Sequence, residues 1–135
     1  MPITYERDDR RCRIQVRLTG VVTVEDLLAI VDRQAAEGTW HYSLCYDARH
    51  VTKEAASSVD EVRRVLRHTV ETSATHGDRG PVAIVTDNPA DYTIVRMYAA
   101  LGAPQRITVE VFRDPADAIR WLDFVAPARR AVPPT

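Results

Sequence analysis

The chain changes its hydrophobic period again and again, and no other feature restricts its fold as strongly. Ile3 and Tyr5, then Cys12, Ile14, Val16 and Leu18, alternate with polar residues, and Asp8-Asp9-Arg10 lies between the two runs. A period of two puts every second side chain on one face, so the pair reads as a β-hairpin. Its second strand turns Arg11, Arg13, Gln15 and Arg17 to the opposite face, which is expected to be wet. From Thr23 the period lengthens. Val24, Leu27, Leu28, Val31 and Ala35 fall at helical spacing, with Thr23 as N-cap, Asp26 three residues later and Gly38 as the stop.

The same switch from strand to helix then recurs three times. Tyr42 to Asp47 (YSLCYD) reads as a short strand. Ser58 and Glu61 form an S-x-x-E capping box that opens a helix with Val59, Val62, Leu66 and Val70 inward and Arg63, Arg64, Arg67 and Glu71 toward water. Pro81 to Asp87 (PVAIVTD) is an unbroken apolar run between turn residues, the pattern of a strand covered on both faces, and a helix follows from Pro89. Ile107 to Phe112 is the last strand, and Pro115 to Val125 the last helix, with Ala118, Ile119, Leu122 and Val125 on one side. The order β-β-α-β-α-β-α-β-α predicts an α/β fold: a mixed, mostly parallel five-stranded sheet with an N-terminal hairpin, right-handed crossovers and about four helices. Residues 1–126 form one domain on this reading, and the aperiodic tail 127–135 is expected to be disordered.

Two copies of a polar residue followed by Pro-Ala-Asp stand before the last two helices, at Asn88 to Asp91 and Asp114 to Asp117. Pro suits the first helical position, where its missing N–H has no intrahelical acceptor. Asn or Asp before it accepts from the freed donors, and each such cap contributes about 1 kcal/mol. Asp91 and Asp117 then meet the positive end of the helix dipole. General acid/base work would need a group that shifts their pKa, so the repeat reads as two helix starts.

Composition narrows the function classes. With 45% hydrophobic and 27% charged residues and a formal net charge of -1, the chain lacks the basic field that nucleic acid would require. No apolar run is long enough for a membrane span, and MPITYERDDRR is charged from residue 6 onward, unlike a signal peptide. A cytoplasmic location is expected, with peripheral membrane contact left open. Cys12 and Cys45 read as small buried residues, and the four histidines show no ligand spacing. No nucleophile elbow, P-loop or dinucleotide motif is present, so no catalytic residue, cofactor or metal is expected.

Binding candidates come from position. Asp47, Asp87 and Asp114 end strands, the edge where open α/β sheets take ligands, although Asp there also turns chains and caps helices. Tyr92 and Arg96, four residues apart, can line one groove, with Arg96 meeting an anionic head; the alternative is an ion pair of Arg96 with Asp87, Asp47 or a neighbouring helix. Tyr98, Phe112, Trp121 and Phe124 read as packing residues.

PVAIVTD, the helix carrying VRMY, and VEVFRDPADAIRWL make the chain similar to the SpoIIAA-like family, bacterial relatives of the STAS domain, over nearly its whole length from ITYE to RWL. The resemblance implies a small STAS/SEC14-type domain without enzymatic activity, acting as a regulatory protein-binding module or as a carrier of lipophilic ligands. In sporulation anti-anti-sigma factors the switch is a phosphorylatable serine in a D-S-S-G-like turn; here YDARHVTKEAASSVDEV puts Ser57 and Ser58 nearby without that motif, and Ser58 already caps a helix. The expected partner is a protein docked on an exposed helix or sheet margin of a homo-oligomer, a dimer. The alternative is an apolar small molecule held beneath the third and fourth helices.

Overall fold

The computed structural model describes residues 3–53 and 58–126. Ser57 and the tail 127–135 lie outside the described residues. Strands β1 (Ile3–Asp8) and β2 (Arg13–Val21) form the hairpin, and α1 (Val24–Ala36) leads to β3 (Ser43–Lys53). Then come α2 (Val59–His76), β4 (Val82–Val85), α3 (Pro89–Gly102), a short 3-10 turn, β5 (Val109–Phe112) and α4 (Pro115–Val125). The strands lie in sequence order in one 5-stranded sheet. β1 pairs antiparallel with β2, and every later neighbour is parallel.

Each parallel step advances one strand in the same direction, so right-handed crossovers stack α1, α2 and α3 on a single face. There Ile14, Val16, Leu18, Leu44, Tyr46 and Val82 form the main core with residues of those helices. α4 follows the edge strand and returns across the other face, where Ala118 and Leu122 pack on Cys45, Ala83 and Val85. β4 is therefore covered on both sides, as its unbroken apolar run requires.

The caps have the expected chemistry. Thr23 closes a reciprocal capping box with Asp26, and the Ser58 side chain accepts from the Glu61 N–H. Asn88 accepts from the N–H groups of Ala90 and Asp91, and Asp114 from that of Ala116. The repeated Pro-Ala-Asp thus starts two helices.

Five expectations are corrected. Arg13 does not face water: it is 5% exposed. α4 runs back against the strands, so its C-terminal Asp123 reaches the start of β2, where Arg13 Nη2 donates to Asp123 Oδ1 at 2.9 Å and Arg13 Nε to Ser43 Oγ at 3.1 Å. Cys12 is half-buried in the hairpin turn at a φ of 51°, because four residues must reverse the chain there. Val59 is 43% exposed, while Val65 and Thr69 join Val62 and Leu66 inside. The 18 residues of α2 are about 27 Å long against about 13 Å for the 4 of β4, so the ends of the helix overhang the sheet. Phe124 is 84% exposed. It lies two residues from the buried Leu122, a spacing that turns it away from the packed stripe. β3 extends six residues past Asp47, because the long β2 supplies a partner that short-range apolarity does not signal.

Candidate functional site

Two places concentrate chemistry. The first is the edge formed by the C-terminal ends of the parallel strands. Asp47 closes the β3–β4 ladder opposite Val85, and Asp87 and Asp114 follow the ends of β4 and β5. Arg49 clamps Asp47 with two prongs: Nε donates to Oδ1 at 2.9 Å and Nη2 to Oδ2 at 2.8 Å, and the Arg49 N–H adds a bond at 3.2 Å. The Arg49 side chain holds the Asp47 carboxyl below the ordinary range against the opposing effect of burial. Asp47, Asp87 and Asp114 all contribute to raising the Arg49 pKa, Asp47 most, so the sheet edge gathers these groups into one charged cluster.

Tyr92 lies beside this edge with the Arg113 guanidinium 5.0 Å above its ring. Arg96 is exposed and forms no hydrogen bond or ion pair among the described residues, with Asp47 and Asp87 included. The Ser58 hydroxyl is engaged twice, accepting from the Glu61 N–H and donating to the Glu61 carboxylate, each at 3.2 Å.

The second place is a cavity of about 140 Å³ between the sheet and the helices. Leu27 and Val31 of α1, Val62 and Val65 of α2, and Ile94 and Val95 of α3 roof it. Leu18, Tyr46, Val82 and Ile84 form its floor. Ala48 and Val51 complete the wall although they are three positions apart in one strand, and the reason is a β-bulge. Arg17 and Thr19 of β2 oppose Asp47 and His50, so the extra residue of β3 shifts the inward side chain from position 50 to 51.

The cavity is bounded by α1, α2 and α3, not by α3 and α4. Tyr92 and Arg96 are absent from its wall; α3 turns Asp91, Ile94, Val95 and Tyr98 toward it instead. Its polar groups are not among the binding candidates of the sequence, where Asp91 reads as a helix start and Tyr98 as packing. They are Arg79, Thr86, Asp91 and the hydroxyl of Tyr98, which lies 3.3 Å from Thr69 Oγ1. Burial raises the Tyr98 pKa, and the Arg79 charge opposes that rise. For Arg79 the only local signal is its place between Asp78 and Gly80, and that reads as a turn.

No helix among the described residues is long and apolar enough to cross a membrane. Among the same residues no group of three or more His, Cys, Asp or Glu is placed to hold a metal ion.

No family model and no curated protein matches this chain. Solved structures do. An uncharacterised DUF3478-family protein with a SpoIIAA-like fold from Shewanella loihica PV-4 is 17% identical, with 89% of this chain and 91% of that one covered at a TM-score of 0.54. The anti-sigma factor antagonist SpoIIAA in its unphosphorylated form is 15% identical over 89% of this chain and 96% of that one, with a TM-score of 0.53. The Bacillus cell fate determinant SpoIIAA in the phosphorylated form is 17% identical over 89% and 98%, also at 0.53. The chain has the SpoIIAA-like fold that its sequence resembles.

Proposed function

We propose that this chain is a non-enzymatic STAS-like regulatory module that docks a protein partner on the C-terminal edge of its sheet and works as a homodimer. The observation behind this reading is the edge cluster of Asp47, Arg49, Asp87 and Asp114, set where the helices after β4 and β5 begin. Its best-buried carboxylate is held ionised by a two-pronged guanidinium, which suits fixed charge recognition and not proton transfer. Two of the similar structures are of SpoIIAA, an anti-sigma factor antagonist, which supports a regulatory role. A phosphoserine switch at Ser58 is not part of the reading, because a phosphate there would face the Glu61 carboxylate.

Quantitative affinity purification from native lysate tests this, using wild type, an edge variant (Asp87→Lys with Arg113→Glu) and a remote control (Glu6→Lys). The expected result is a stoichiometric protein held by wild type and the control and lost by the edge variant. Equal recovery by all three proteins would count against the edge.

The cavity favours a second reading, a carrier or sensor of a lipophilic small molecule. A dry apolar cavity of about 150 Å³ holds one benzene, so a space of about 140 Å³ suits a compact apolar group and is too small for a long acyl chain. Mass spectrometry of an organic extract of the purified protein checks this: a compact ligand at near-stoichiometric yield is expected, and a clean extract counts against it.

A further inference from the structure

The cavity wall contains a buried cation with no acid within ion-pair distance among the described residues. Arg79 is 7% exposed and lines the cavity. Its position is built, not incidental. Gly80 lies so close to the backbone of His41 and Tyr42 that an added Cβ would sit 2.2 Å from the Tyr42 carbonyl oxygen. The Gly80 N–H donates to the Trp40 carbonyl at 3.0 Å, and the Trp40 indole N–H to the Gly77 carbonyl at 2.8 Å. The segment before β4 is thereby pinned against the segment before β3, and the Arg79 guanidinium comes to rest 5.0 Å over the Trp40 ring.

Gln34 orients it further. This side chain is fully buried, and its amide donates to the Thr39 carbonyl at 2.9 Å, which leaves its Oε1 to accept from Arg79 Nε at 3.0 Å and Nη2 at 2.9 Å. A guanidinium has five N–H donors. Two go to Gln34 Oε1, and no described carboxylate lies within ion-pair distance of Arg79. A neutral amide cannot cancel a buried charge, and a buried cation is costly until an anion joins it. The cavity's carboxylate, Asp91, enters from the segment after β4, whereas Arg79 enters from the segment before it.

We infer that the cavity binds a small monocarboxylate with a compact apolar body, aromatic or short and branched, and that Arg79 receives its carboxylate. This rests on the second reading above, that the cavity takes an apolar ligand. The body fills the space roofed by Val62, Val65 and Ile94, and the free N–H groups of the oriented guanidinium meet the carboxylate oxygens. Charge at one end and a volume of about 140 Å³ together select against neutral isosteres, cations and long-chain acids.

Isothermal titration calorimetry with benzoate, benzyl alcohol, benzylamine and decanoate tests the inference on the wild type. Benzoate is expected to bind at one per chain, with benzyl alcohol and benzylamine about tenfold weaker or worse and decanoate no better than benzoate. Arg79→Gln is expected to lose that preference, with benzoate falling about tenfold and benzyl alcohol unchanged. Should Arg79→Gln not fold, Val65→Phe, which fills the cavity and leaves Arg79 intact, is expected to abolish binding of every probe. Equal affinity for benzoate and benzyl alcohol, or tighter binding of decanoate, overturns the inference while leaving an apolar-ligand function in place. Failure of all four probes overturns both.

Discussion

Asp47 closes the β3–β4 ladder and Asp87 follows the end of β4, yet only the first is buried, and its partner lies two residues away on the same strand. The Arg49 clamp lowers the Asp47 pKa in the folded protein, so the carboxylate contributes stability at pH values above the unfolded pKa of about 3.9. That contribution is lost as pH falls through the lower folded value. In urea unfolding, Asp47→Asn is expected to be less stable than wild type by a constant margin from neutral pH to about 4, and the margin is expected to close below that. A margin independent of pH would show that the clamp is not electrostatic. Position alone made Asp47 a candidate in the sequence, but burial and clamping come from the ladder and the bulge that follows it.

At the scale of elements, α4 is fastened to the opposite end of the sheet by an unequal ion pair. The Arg13 side chain is 7% exposed and that of Asp123 61%. Removing Asp123 strands a buried guanidinium, whereas removing Arg13 leaves a carboxylate that water can reach. Asp123→Ala is therefore expected to cost about 1–3 kcal/mol in chemical denaturation, and Arg13→Met about 1 kcal/mol or less. Equal costs, or the reverse order, would remove the latch. The alternation of β2 located Arg13 on the face opposite the core, and that face was expected to be wet. The cover is a helix 110 positions away in sequence, beyond the reach of any local pattern.

At the scale of the whole molecule, the most exposed large apolar side chain among the described residues is on α4. Phe124 is 84% exposed, and Val125 beside it is 39% exposed. If the homodimer forms through this helix, Phe124→Ser shifts the light-scattering mass from two chains toward one and leaves the unfolding free energy within about 0.5 kcal/mol, since the side chain is 84% exposed and joins neither core cluster among the described residues. An unchanged dimer would move the interface elsewhere, with the exposed edges of β1 and β5 next to be tested.

The sequence by itself determined the element order, the caps and the class of sheet, because period, capping residues and Pro position act within a turn or two of the chain. Asn88 and Asp114 could be read as helix starts for that reason, and PVAIVTD as a doubly covered strand. It also brought Tyr92 and Arg96 forward through their helical spacing, but spacing fixes which residues share a face and not what that face meets. Tertiary structure decided that α3 shows the cavity Asp91 and Tyr98, that α4 buries Arg13, and that Gly80, Trp40 and Gln34 hold Arg79 inside. A buried charge is set by neighbours far apart in sequence. Arg79 therefore reads as an ordinary turn residue until the segments around residues 34, 40 and 79 are brought together in space.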